Sequence, residues 1–138
     1  SAQLRGNHTC KFQGQQSIQF GVYVDGQEAP RHTVTAFQVR CKGTAILFDI
    51  PLTAGPGENS GDMLDRRLRH RDGDELRYQL YVDSARTRVW GDGTRGTEAI
   101  VLTARTATKV GTAYGEIPGG QGGPEGDYDD TIVITVLP

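Results

Sequence analysis

The sequence predicts an all-β fold, a two-sheet sandwich or a barrel. Apolar and polar residues alternate with period two in nearly every segment that reads as ordered, the pattern of half-buried antiparallel strands. Glycine-centred turn signals separate these segments. The single helix candidate, 62–71, lacks a sustained apolar stripe.

Taken in order, Ile18, Phe20, Val22 and Val24 alternate with Ser17, Gln19, Gly21 and Tyr23, and Asp25-Gly26 supplies a turn. Phe37, Val39 and Cys41 form a second row, and Ile46, Phe48, Ile50 and Leu52 a third that ends before Gly55-Pro56-Gly57. After Asp72-Gly73, Leu76, Tyr78, Leu80 and Val82 share a face opposite Arg77, Gln79, Tyr81 and Asp83. Asp92-Gly93 marks the next turn, and Ile100 and Leu102 a shorter strand. The glycine-rich stretch 119–124 precedes a last row of Tyr128, Ile132, Ile134 and Val136. There is no internal repeat and no composition break, so 138 residues read as one domain.

Composition narrows the function classes. A net charge of -2 supplies no global positive field for nucleic acid. No apolar run approaches membrane-spanning length. Two cysteines, Cys10 and Cys41, permit one disulfide, although two buried thiols would leave the same trace. A bridge would close a loop of about 30 residues and stabilise the fold by roughly 3–4 kcal/mol.

Candidate chemistry is thin. The loop Gly91-Asp92-Gly93-Thr94-Arg95-Gly96 lacks the Lys-Ser/Thr and the following helix of a phosphate loop, so it reads as a turn between strands. The acids Asp62/Asp65, Asp72/Asp74/Glu75 and Asp127/Asp129/Asp130 show no calcium-loop spacing, and Asp129 and Asp130 fall on opposite faces of a strand. His8, His32 and His70 are isolated, which argues against zinc. No nucleophile elbow is present, and the expectation is a protein without catalytic residues, metal or cofactor. The basic run 66–71 is flanked by acids and reads as a solvated face. Asn7-His8-Thr9 matches a glycosylation sequon, a pattern of low specificity.

Three ordered motifs carry a resemblance. LRYQLYVDSARTRVWGDGT places Tyr78, Leu80, Tyr81, Asp83, Arg86, Thr87, Trp90, Gly91, Asp92 and Gly93 in one pattern. Tyr114, Gly115, Ile117, Pro118, Gly120 and Gln121 fill a second, and Gly126, Tyr128, Asp130 and Thr131 a third. Together with the early Cys10 and Cys41 at a strand end, they resemble the spore coat protein U domain of archaic chaperone–usher pilus subunits. The likeness covers nearly the whole chain and is dense after residue 64, with 10–138 as the domain and 1–9 as a residual N-terminal segment.

The resemblance implies an incomplete immunoglobulin-like β-sandwich that lacks its final strand and is completed by a donor strand. It implies a disulfide between Cys10 and Cys41, hence an oxidising compartment. Trp90 would cover the end of the sandwich, with Tyr78 and Leu80 in the core and Asp92-Gly93 as the turn. The partners implied are a periplasmic chaperone, an outer-membrane usher and neighbouring subunits, on a secreted route to a pilus or spore coat. Nucleic acid and membrane insertion are not implied. The groove is expected along Ile18, Phe20 and Val22 on one side and Ile132, Ile134 and Val136 on the other, with nothing after Leu137-Pro138 to close it. The segment 1–9 offers only Ala2 and Leu4 as apolar residues, too few to fill such a groove, which fits a trimmed donor region. A tip adhesin is the alternative; its loops should be apolar, whereas GQEAPRH, GPGENSG and GGQGGPEG are polar or glycine-rich.

Overall fold

The computed structural model describes residues 2–7, 11–12, 16–18, 20, 23, 25–41, 48–104 and 107–136. Among them there are ten strands and no helix: β1 (Ala2–Asn7), β2 (Lys11–Phe12), β3 (Gln16–Ile18), β4 (Arg31–Cys41), β5 (Phe48–Ala54), β6 (Arg66–His70), β7 (Glu75–Tyr81), β8 (Ile100–Ala104), β9 (Ala107–Ile117) and β10 (Tyr128–Val136). The hydrogen-bonded path runs β2-β4-β9-β7-β6-β10-β1-β3, with β5 joined to β10 and β8. One layer is β2, β4, β9 and β7; the other is β3, β1, β10, β5 and β8; β6 pairs with both β7 and β10 and links them.

Alternation drives this arrangement. In β10 the row Tyr128, Asp130, Ile132, Ile134, Val136 is buried, while Asp129 and Val133 face out. Phe37, Val39, Leu68, Leu76, Tyr78 and Leu80 meet Ile50, Leu52, Ala54, Ile132 and Ile134 in a single core. Two long strands, β4 and β9, form an antiparallel ribbon from Arg31↔Ile117 to Cys41↔Ala107.

Three elements depart from the alternation reading. The helix candidate 62–71 is a turn followed by β6, whose inward positions are Arg66, Leu68 and His70. The basic run is therefore not a wholly solvated face: Arg66 and His70 are buried. In β9 the inward positions include Gly111, Ala113 and Gly115, which carry little apolar signal. A Cβ at Gly111 would stand 2.6 Å from the Phe37 ring, and one at Gly115 2.8 Å from Phe20, so the glycines leave room on the strand for two rings. Finally, Ala2–Asn7 is a strand, although its composition gave no reason to expect one.

Candidate functional site: the β3–β10 slot

β3 and β10 are not paired to each other; β1 lies between them. β1 runs parallel to β10, with Ala2↔Asp130, Leu4↔Ile132 and Gly6↔Ile134, and antiparallel to β3, with Ala2↔Ile18 and Leu4↔Gln16. The two flanking strands are thus two strand spacings apart, about 9–10 Å. Of the expected groove residues, Ile18, Ile132, Ile134 and Val136 are fully or almost fully buried and Phe20 is 7% exposed. The Phe20 ring meets Tyr78 edge-on at 5.7 Å. Val22 lies outside the described residues. The chain's own N-terminal segment therefore lies in the groove beside Ile18, Ile132 and Ile134, with no pairing to Phe20 or Val136.

Beneath the slot sits a polar cluster. Asp130, on the inward row of β10, accepts the Tyr78 hydroxyl at 2.6 Å and the Thr131 and Asn59 backbone N–H groups. Burial pushes its carboxyl above the ordinary range, and these hydrogen bonds oppose the rise. Burial, reinforced by Asp130, drives the Tyr78 hydroxyl far up, so it remains a donor. A Cβ on Gly57 would overlap the Asp130 carboxylate, which explains a glycine in that turn. Arg66 is fully buried: its Nη1 donates to Gln79 Oε1 and Trp90 O at 2.7 Å each, and its Nη2 to Gly55 O at 2.7 Å and Ala54 O at 3.3 Å. Burial pulls its pKa down to about 10, against the raising influence of Tyr78 and Asp130. Within the basic run, only the period-two spacing of Arg66, Leu68 and His70 hints that the arginine points inward.

The remaining motif residues brace this frame. Trp90 lies inside the sandwich rather than over its end: its ring stacks on Phe37 at 5.5 Å and its Nε1 donates to Leu52 O, so it ties one layer to the other. Leu80 is buried in the same core, and its carbonyl accepts the Trp90 N–H. Asp92 accepts the Thr94 N–H at 2.9 Å, and Gly93 adopts φ 91°, closing the turn on itself. Asp83 accepts the Thr87 hydroxyl and the Thr87 and Arg88 N–H groups. Arg86, at φ 58°, donates to Gly115 O and Thr33 O and covers the Tyr114 ring. The Gln121 amide accepts Arg77 N–H and donates to Arg77 O, imitating a strand at the edge of β7. Among the described residues no three His, Cys, Asp or Glu side chains gather to hold a metal. Nor is any helix there long and apolar enough to cross a membrane.

These braces coincide with the three sequence motifs, and the family model for the Spore Coat Protein U domain matches residues 1–135. The chain belongs to the Spore Coat Protein U domain family. It is 40% identical over 72 residues to Protein U of Myxococcus xanthus, a stretch covering 51% of this chain and 39% of Protein U. Its fold is similar, at a TM-score of 0.60 and 16% identity, to a chain in the crystal structure of the CsuC–CsuE chaperone–tip adhesion subunit pre-assembly complex from archaic chaperone–usher Csu pili of Acinetobacter baumannii. That match covers 92% of this chain and 38% of the other. The chain thus spans well under half the length of either protein. This Spore Coat Protein U domain is an immunoglobulin-like sandwich, and its Cys10 lies outside the described residues.

Proposed function

We propose that this domain is a structural, fibre-forming subunit whose β3–β10 slot accepts a strand from a neighbouring subunit. The observation that carries the reading is the slot itself. Two strands with fully buried apolar residues, Ile18 on one and Ile132 and Ile134 on the other, are bridged only by a six-residue strand poor in apolar side chains. A donor with alternating apolar residues would gain about 1.5–3 kcal/mol for each side chain it buries there, with backbone hydrogen bonds fixing its register.

Family membership and the Csu fold likeness support assembly by a periplasmic chaperone and an outer-membrane usher, with export to a pilus or spore coat. A Cys10–Cys41 disulfide belongs to the same reading, and the pairs Lys11↔Arg40 and Phe12↔Val39 align the chain next to both cysteines. The role is structural rather than enzymatic. The exposed, polar turn around Asp25 and Gly26 favours a shaft or coat subunit over a tip adhesin.

The test is thermal melting of the chain alone and of a fusion carrying an alternating apolar strand on a flexible linker after Pro138. A large rise in Tm with loss of aggregation is expected. An unchanged Tm in an already monomeric, stable chain would refute strand acceptance.

A further inference from the structure

We infer that the two ends of the sandwich are opposite in charge, so that the acidic turns at one end of a subunit dock on the basic strand ends of a second copy of this chain. Its use in a fibre rests on the reading above, but the contact itself needs no exchanged strand. The acidic end gathers the turns 25–30, 71–74 and 119–127. Gly26 N–H donates to Gln121 O at 3.0 Å, Gly120 N–H to Gln27 O at 2.6 Å and Gly123 N–H to Asp25, which ties the first turn to the third. The third turn meets the second in a cleft of about 760 Å³ lined by Arg71, Gly73, Glu125 and Asp127. Together the turns expose Asp25, Glu28, Asp72, Asp74, Glu125 and Asp127 against one cation, Arg71. Among the described residues, Glu28, Asp74, Glu125 and Asp127 have no salt-bridge partner.

The opposite end holds β2, the close of β4 and β8 and the start of β5 and β9, as the pairs Lys11↔Arg40, Cys41↔Ala107 and Phe48↔Ala104 place them. The sequence stretches 7–15, 40–47 and 104–110 carry Lys11, Arg40, Lys42, Arg105 and Lys109, and no aspartate or glutamate. Arg40 and Lys109 are exposed. Asp49, near the start of β5, is an acid at this end, and it accepts the Thr103 hydroxyl at 3.2 Å. The eleven residues of β4 run from one end to the other, about 33 Å, which is several times the screening length of ~8 Å at physiological salt. Each end therefore acts on a partner independently. Like ends repel and unlike ends attract, which selects a heterologous contact, the kind that propagates as a filament rather than closing as a dimer. Exposed ion pairs are individually weak, so the free chain should associate only at roughly millimolar concentration. A short tether between subunits supplies an effective concentration of that order.

The experiment is sedimentation equilibrium of the full chain at roughly millimolar concentration, compared at about 0.01 M and about 0.5 M salt. Association is expected at low salt, weakening roughly tenfold or more at high salt. Glu125→Lys/Asp127→Lys and Arg40→Glu/Lys109→Glu, each matched to the natural chain by circular dichroism, should both lose self-association, and an equimolar mixture of the two should regain it. Asp65→Lys/Glu98→Lys makes the same change in net charge as the first variant, but on the flank beside Arg67 and Arg88, and should associate like the natural chain. A natural chain that stays monomeric at low salt, association indifferent to salt, or an equal loss in the flank variant would overturn the inference. Strand acceptance would stand in each of those cases, because it is read from the Tm of the donor fusion. Salt-sensitive association in a chain whose fusion shows no rise in Tm would support the end contact and remove the strand reading alone.

Discussion

Arg66 shows how much of this fold depends on single polar side chains. Its guanidinium satisfies four acceptors contributed by a turn, two strands and the Trp90 segment. Arg66→Ala would take the shared donor from those acceptors, leaving Gln79 Oε1 with only the Leu80 N–H, and the expected loss is about 3–5 kcal/mol, measured as a fall in the urea midpoint. Arg66→Lys should rescue little, because an ammonium cannot reproduce the planar fork. Tyr78→Phe removes the donor to Asp130 at 2.6 Å and should cost about 1–3 kcal/mol. A double-mutant cycle with Asp130→Asn should give clearly non-additive values; additive effects would contradict a shared network.

At the scale of elements, the connection from β7 to Trp90 is organised by Asp83. The Thr87 hydroxyl, followed by the Arg88 and Thr87 N–H groups, holds its carboxyl down to about 2, from an ordinary 3.8. A depressed folded-state pKa contributes stability that is fully present above the ordinary value and is lost as pH falls through the folded one. The Tm advantage of the natural chain over Asp83→Asn should therefore be constant above about pH 5 and shrink from pH 4 towards pH 2; an advantage that persists at pH 2 would remove Asp83 from the account. Strands β5, β7 and β10 were legible in the sequence because their inward rows are large and apolar. β9 was not, because its inward row is glycine and alanine shaped by two aromatic rings from other strands. β6 was hidden because its inward arginine takes its partners from residues remote in sequence. The slot was legible from its walls, Ile18 and Ile132 to Val136, but its occupant was not. β1 is specified by its tether to β3 and by backbone pairing, neither of which leaves an apolar pattern.

Over the whole molecule, Trp90 is a built-in reporter. It is the single tryptophan, it is fully buried, and it touches both layers through Phe37 and Leu52. Unfolding followed by its fluorescence should coincide with unfolding followed by far-ultraviolet circular dichroism, because one core joins the layers. Separate transitions would show that the two layers melt independently. The link through β6 makes such a split unfavourable, since this strand is paired to β7 on one side and β10 on the other.

The β4–β9 ribbon has a consequence in time. It joins residues from opposite halves of the chain along its entire length, Arg31 with Ile117 and Cys41 with Ala107. Contacts of such high order close late, after much loop entropy has been lost, and proteins dominated by them fold on the slow end of the two-state range. Until β9 arrives, β4 has one whole edge bare and an unburied Phe37. A nascent chain of this kind spends its vulnerable interval before the ribbon zips, so a helper that binds early would do more for yield than one that only guards the finished subunit.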